Sequence, residues 1–242
     1  MKFKTKLITT LVMACLFSPL ASAMTQSEKI EDINKMLEGN PAIIDSLHES
    51  LAMYIAQQSK YEQTLADNHD YMYNNPNHPW LGAENPKLTI VVLTDLSCPW
   101  CKKLDPVLMK LVDEHPDDLK VINIYVPLKE GSNPANSATF ALRVWKESPD
   151  KFNKINETLL SKPGIHNMRS IMKVAKANDA EKYVSTNDEV QDMVAKNYQL
   201  FTDLGVRGTP AMLIDGQLLP GYLPYEKLAP MVEAKIAEKS GK

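Results

Sequence analysis

Apolar positions along the chain change period several times, and each change marks an element. From Ile44 the residues Leu47, Leu51, Tyr54, Tyr61, Leu65 and Met72 fall on alternating steps of three and four, broken at Gln58 and Asn68. That spacing predicts a helix with a coiled-coil-like stripe. Thr25-x-x-Glu28 fits a capping box, and Asn40-Pro41 sets a cap residue before a proline at the first helical position, so residues 24–75 read as helical. At Leu88 the pattern becomes an unbroken, β-branched apolar run to Leu93, the mark of a strand buried on both faces. Leu104, Val107, Leu108, Leu111 and Val112 then return at helical spacing, and a second strand, Lys120 to Val126, stops at Pro127.

Residues 134–204 carry only the helical period. Ala138, Ala141, Leu142 and Trp145 predict one helix, and Phe152, Ile155, Leu159 and Leu160 a second. Met168, Ile171, Met172 and Ala175 predict a third, and Val190, Val194, Tyr198 and Phe201 a fourth. Strand signal resumes at Ala211 to Ile214, turns at Asp215-Gly216 and pairs back through Gln217 to Leu219. A last helix runs from about Tyr225 to Lys239. The class is α/β, in the order β-α-β, helical insertion, β-β-α.

The first 23 residues stand outside this plan. Lys2, Lys4 and Lys6 open a basic start, Leu7 to Phe17 is apolar, and Ala21-Ser22-Ala23 is a small-residue cleavage signal. The pattern predicts a cleaved signal peptide and export to the periplasm. Cys15 lies within the apolar stretch, where the bulky Met13 makes a poor lipid-anchor signal. The expected plan is a signal peptide (1–23), a helical oligomerisation arm (24–75), a polar, Pro-rich linker (76–87) and a catalytic domain (88–242) with its insertion at 134–204. The stripe admits two readings, packing onto the chain's own domain or self-association. Its length and the intervening Asn74–Pro86 segment favour self-association, a dimer ahead of a trimer.

Charge narrows the partners. The formal net charge is −3, and the signal removes three of the 27 basic residues, so the exported chain is more acidic still. No basic patch suggests nucleic acid, and no later run is apolar enough to span a membrane.

Cleavage leaves two cysteines, Cys98 and Cys101, spaced C-x-x-C where the first strand hands over to a helix. There the free N–H groups and the helix dipole favour an anion, so the Cys98 thiol is expected to ionise easily. Cys101, one turn on, can close a disulfide on Cys98 or reopen it. A purely structural disulfide over so short a loop would stabilise little. A zinc site needs four ligands, and the five histidines show no ligand spacing. Redox exchange is the chemistry this pair suits, and it needs no cofactor and no metal. Strand order together with this motif predicts a thioredoxin fold.

Two stretches carry a resemblance. Leu93-Thr94-Asp95-Leu96-Ser97-Cys98-Pro99-Trp100-Cys101-Lys102-Lys103-Leu104 is one. The other is Gly205-Val206-Arg207-Gly208-Thr209-Pro210-Ala211, continued by Gly216-Gln217-Leu218-Leu219-Pro220-Gly221-Tyr222. Together they resemble the active-site and cis-proline segments of the exported bacterial thiol–disulfide proteins of the DsbC, DsbG and ScsC group. The helical insertion and helical arm look more like the ScsC and DsbA-like branch than like DsbC, whose dimerisation domain is β-rich. The resemblance implies that Cys98 attacks and Cys101 resolves, with Pro99 and Trp100 lining the motif. It also implies a cis bond before Pro210, with Thr209 and Pro210 facing Cys98 and binding substrate. Many relatives place a buried acid six residues before the attacking cysteine; that position here is Val92. Asp95 reads as a turn or capping group, which leaves proton transfer to water or Lys102.

The pair could oxidise, reduce or reshuffle disulfides. Thr209 resembles the isomerase side, where a DsbA-like oxidase typically has Val, and an oligomerising arm points the same way. The expected function is therefore a disulfide isomerase acting on disulfide-containing exported clients and recycled by a membrane reductase. A dithiol oxidase is the alternative, and a copper-tolerance-linked Cu(I) or client-binding protein is a third reading.

Overall fold

The computed structural model describes residues 24–131 and 133–241; the predicted signal peptide, with Cys15, lies outside them. The chain divides into two compact units, one ending at Ile55 and the other running from Ala56.

The first unit is built from helix α1 (Gln26–Gly39) and the opening turns of α2 (Ile44–Asp67). The capping box forms: the Thr25 hydroxyl accepts from the Glu28 N–H, and the Glu28 carboxylate accepts from the Thr25 N–H at 2.7 Å. No residue of α1 is buried. Ile30, Ile33 and Met36 on α1, with Ile44, Leu47, Leu51 and Tyr54 on α2, are 43–66% exposed.

In the second unit, α3 (His69–Tyr73) leads into a five-stranded mixed sheet. Its strands are β1 (Trp80–Gly82), β2 (Leu88–Thr94), β3 (Leu119–Tyr125), β4 (Ala211–Ile214) and β5 (Gln217–Pro220), in the order β1-β3-β2-β4-β5. β2 and β3 are parallel and the other pairs antiparallel, with Val92 opposite Asn123 on one side and Met212 on the other. Central β2 is covered on both faces, which is why it reads as a continuous apolar run. Leu88, Ile90 and Val92 pack with Leu104, Leu108 and Leu111 of α4 (Pro99–Glu114) and with Leu228 and Val232 of the C-terminal helix. Val91 and Leu93 face Met72, Leu200 and Phe201. Val92 is thus ordinary core, with no polar group at that depth of the strand.

The insertion consists of α5 (Ser137–Glu147), α6 (Pro149–Ser161), α7 (Met168–Ala177) and α8 (Asp188–Asp203); α9 (Tyr225–Ser240) closes the chain. Phe140, Leu142, Phe152, Ile155, Leu159 and Ile171 form a separate core that also takes in Leu96 and Tyr125. The insertion is therefore seated against the C-terminal ends of the two parallel strands, where Leu96 leads into the cysteines.

Two expectations change here. Residues 76–87, read as a linker, contain β1, and His78 within that stretch is 1% exposed. The strand is short and its neighbours are Pro and Asn, so no period of two could show it. Gly82 is required, because its φ is +98° and a Cβ would strike the Leu119 carbonyl. The stripe along α2 and α3 also has two fates. Ile44 to Tyr54 is exposed, whereas Tyr61, Leu65 and Met72 pack against the sheet beside Leu200 and Phe201. The later part of the stripe is thus intramolecular packing, as the less favoured reading had it.

Candidate active site

β2 ends at Thr94, and the turn Asp95–Ser97 delivers Cys98 to the N-cap of α4. The turn is built locally: Asp95 Oδ1 accepts from the Ser97 N–H at 2.8 Å, and the Asp95 carbonyl accepts from the Cys98 N–H at 2.9 Å. Pro99 follows at the start of the helix, where its missing N–H costs nothing. Cys98 is extended (φ −81°, ψ 125°), so its side chain lies over the free N–H groups of the first turn.

The structure brings Cys98, Cys101, Thr209 and Pro210 together across 111 residues of chain. The Cys98 thiol donates to the Thr209 carbonyl at 3.2 Å, and the Thr209–Pro210 peptide is cis. Pro210 in turn accepts from the Gly221 N–H at 2.8 Å, which ties the β5–α9 connection to the same point. Trp100 is 52% exposed, tilts over Tyr222 with ring centres 5.8 Å apart, and carries the Lys103 ammonium 4.5 Å from its own ring centre. The other motif-lining residue, Pro99, is exposed beside it.

The two thiols are pushed in opposite directions. Cys98 falls to about 5, chiefly because the Cys101 thiol donates to its sulfur; the Cys101 N–H, the Thr209 hydroxyl and the Trp100 N–H help against the cost of burial. Its contact with the Thr209 carbonyl suits the thiol form alone. The donors outnumber that one acceptor, so the downward direction stands. Cys101 is driven far upward, first by burial and then by its bond to Cys98. An ionised Cys98 beside a protonated Cys101 is the result.

The surroundings hold groups that sequence reasoning missed. Asp95 is 1% exposed, and its second oxygen accepts from the Lys129 N–H at 2.9 Å. Burial pushes its carboxyl up to about 6, the two backbone N–H groups opposing and the charges of Glu130 and Cys98 adding. Its own N–H lies 3.4 Å from the Cys101 sulfur. Asp95 is thus the turn residue expected from sequence and, in addition, a buried titratable group next to the thiols. Ser97 donates through its hydroxyl to Glu130 at 2.7 Å and accepts from the His166 N–H at 2.9 Å. Glu130 also accepts from the Ser137 N–H at 2.8 Å and from its hydroxyl. The Lys102 ammonium is engaged by the carbonyls of Lys162 and Gly164. The cysteine loop is therefore tied to the insertion at three points. Glu130 had one sequence signal: it follows β3, and loops after adjacent parallel strands converge at one end of a sheet. Among the described residues, no three His, Cys, Asp or Glu side chains are grouped to hold a metal ion.

Comparison with known proteins matches residues 74–234 to the thioredoxin family model. The periplasmic thioredoxin-like protein of Salmonella enterica serovar Typhimurium is 37% identical over 70% of this chain and 95% of its own, with a TM-score of 0.65. The catalytic domain of Proteus mirabilis ScsC is 34% identical over 72% of this chain and 98% of its own, with a TM-score of 0.67. The thiol:disulfide interchange protein DsbC of Dickeya dadantii (strain 3937) is 27% identical over 66% of this chain, which spans 56% of that protein's length.

Proposed function

The chain belongs to the thioredoxin family, and on that premise we propose that it is an exported, periplasmic thiol–disulfide oxidoreductase that chiefly reshuffles non-native disulfides. The observation that carries this reading is the asymmetry of the thiol pair beside Thr209: an ionised, donor-fed Cys98 and a protonated, buried Cys101.

The thiolate of Cys98 attacks one sulfur of a client disulfide. A Cys98–client disulfide forms, and the client's other sulfur leaves as a thiolate. In isomerisation that client thiolate attacks a second disulfide of the client, a client thiolate then displaces Cys98, and no net electrons move. If the intermediate stalls, Cys101 loses its proton and attacks Cys98, releasing a client dithiol and leaving Cys98–Cys101 oxidised. Asp95 is the group assigned to take that proton, as the buried carboxyl of the turn whose backbone N–H meets the Cys101 sulfur and whose charge couples to Cys98; Lys102 is held by backbone carbonyls instead. A membrane reductase must then return two electrons to the pair.

The exposed apolar face of Ile44, Leu47, Leu51 and Tyr54 supports self-association, a dimer ahead of a trimer, which would offer more than one thiol pair to a single client. The oxidase reading rests on one observation, the low Cys98 value: a stabilised thiolate favours the reduced pair and makes its disulfide oxidising. Two assays separate them, run with the mature protein in a glutathione buffer. Recovery of activity from a scrambled-disulfide client faster than from a fully reduced one supports isomerisation. The opposite order leaves the oxidase, and no catalysis in either overturns both.

A further inference from the structure

A cavity of about 360 Å3 opens between α4, β1, β3 and α6, and neither Cys98, Cys101, Thr209 nor Pro210 lines it. Asn123 of β3 borders it and is 7% exposed, yet no described residue bonds its side-chain amide. Asp105 of α4 lines the same space, and among the described residues no donor reaches its carboxylate. Asn123 thus offers a largely buried, unpartnered amide to this space, and the partly exposed Asp105 carboxylate lines it as well. The walls supply the rest of the specification. Trp80, Val112 and Phe152 are apolar, and Trp80 already holds the Lys120 ammonium 4.4 Å from its ring centre. Asp105, Asp113 and Glu157 outweigh Lys154 in charge. Five of the twelve lining residues are apolar and no three metal-ligating groups converge among the described residues, so a bare divalent ion finds too few oxygen ligands.

We propose that this cavity binds a small organic cation, a primary ammonium or guanidinium on a short aliphatic stem. The head lies between the Asp105 carboxylate and the Asn123 amide oxygen, and the stem lies against Trp80 and Phe152. This site is separate from the thiol chemistry, and its test does not depend on turnover.

The test is calorimetric titration of the full-length mature protein with 1,5-diaminopentane and with agmatine, against sodium chloride of equal ionic strength and against 1-pentanol. Saturable binding of one amine per chain is expected, with no saturable heat from the salt or the alcohol. Asp105→Asn is expected to weaken it about tenfold, the size of losing one hydrogen bond to a charged group. Lys154→Gln, at an exposed position, is expected to strengthen it about twofold by removing an opposing charge. Affinity is expected to fall as pH drops through about 6, where burial and the Glu157 charge place the Asp105 carboxyl. Asp113, Lys154 and Glu157 line the same space, Lys120 sits over Trp80, and the buried Tyr125 hydroxyl feels the Asp105 charge. Heat equal to the salt control, equal binding of pentanol, or an affinity unmoved by both substitutions would overturn the site.

Discussion

One apolar stripe running along α2 into α3 meets two different environments. Ile44, Leu47, Leu51 and Tyr54 are exposed, whereas Tyr61, Leu65 and Met72 continue the same spacing and are packed against a sheet. The period of three and four fixes which face of a helix is apolar, and it does so equally well in both halves. It does not say what covers that face. The first half is an exposed apolar surface and the second is core; both described cysteines belong to the unit that holds the core.

The comparison breaks most sharply at the cysteines. Cys98→Ala is expected to abolish exchange completely, whatever the state of the exposed helices. Cys101→Ala is expected to keep the attack and accumulate client mixed disulfides, visible as slow-migrating bands on non-reducing gels. Residual exchange in the Cys98 variant would mean that chemistry resides elsewhere.

The next largest effect concerns the exposed half. Leu47→Glu with Leu51→Glu is expected to give monomers by light scattering, because each apolar side chain buried in an assembly contributes ~1.5–3 kcal/mol. Those monomers are expected to lose most reshuffling of a scrambled client while reducing a small disulfide as before. A monomeric wild type, or a variant that still reshuffles at full rate, removes self-association from the mechanism.

A pair of truncations sharpens the contrast between halves. Met72→Ala is expected to lower unfolding stability by ~2–5 kcal/mol, the usual cost of emptying a buried site. Leu51→Ala, at a 54% exposed position, is expected to change unfolding stability by under about 0.5 kcal/mol when made in the Leu47→Glu background, where self-association is weakened. Denaturant melts of both at equal concentration decide it, and equal losses would erase the distinction.

The smallest effect is at Thr209. Its hydroxyl helps hold Cys98 ionised, so Thr209→Val is expected to raise the Cys98 value by less than about one unit and make the disulfide slightly less oxidising. Equilibration with glutathione measures it. An analogy with oxidases that carry Val there points the opposite way, which makes the sign informative.

Most of the sheet and helices were legible because their residues keep one period over a full element. β2 is continuous, the insertion helices each carry a clear stripe, and Cys98 and Cys101 share a local motif. What stayed hidden depends on distance in sequence. β1 has three residues and follows a run of Asn and Pro, so only its pairing with β3 reveals it. Glu130 and His166 meet Ser97 from 33 and 69 residues away, through groups that sequence alone reads as loop polarity. Asp95 was visible as a turn residue, but its depth was not, because burial there comes from the insertion core that includes Leu96.

The central claim is that Cys98 is the ionised thiol, and alkylation against pH tests it most directly. The reduced protein would be pulsed with iodoacetamide from pH 3 to 10, with Cys101→Ala alongside. The depressed value means that the thiolate, and with it the rate, persists well below neutrality and is lost only as pH falls through about 5. In Cys101→Ala the inflection is expected to move upward, because the principal donor to the Cys98 sulfur is gone. A wild-type inflection near the ordinary thiol value of 9.0 would contradict the account.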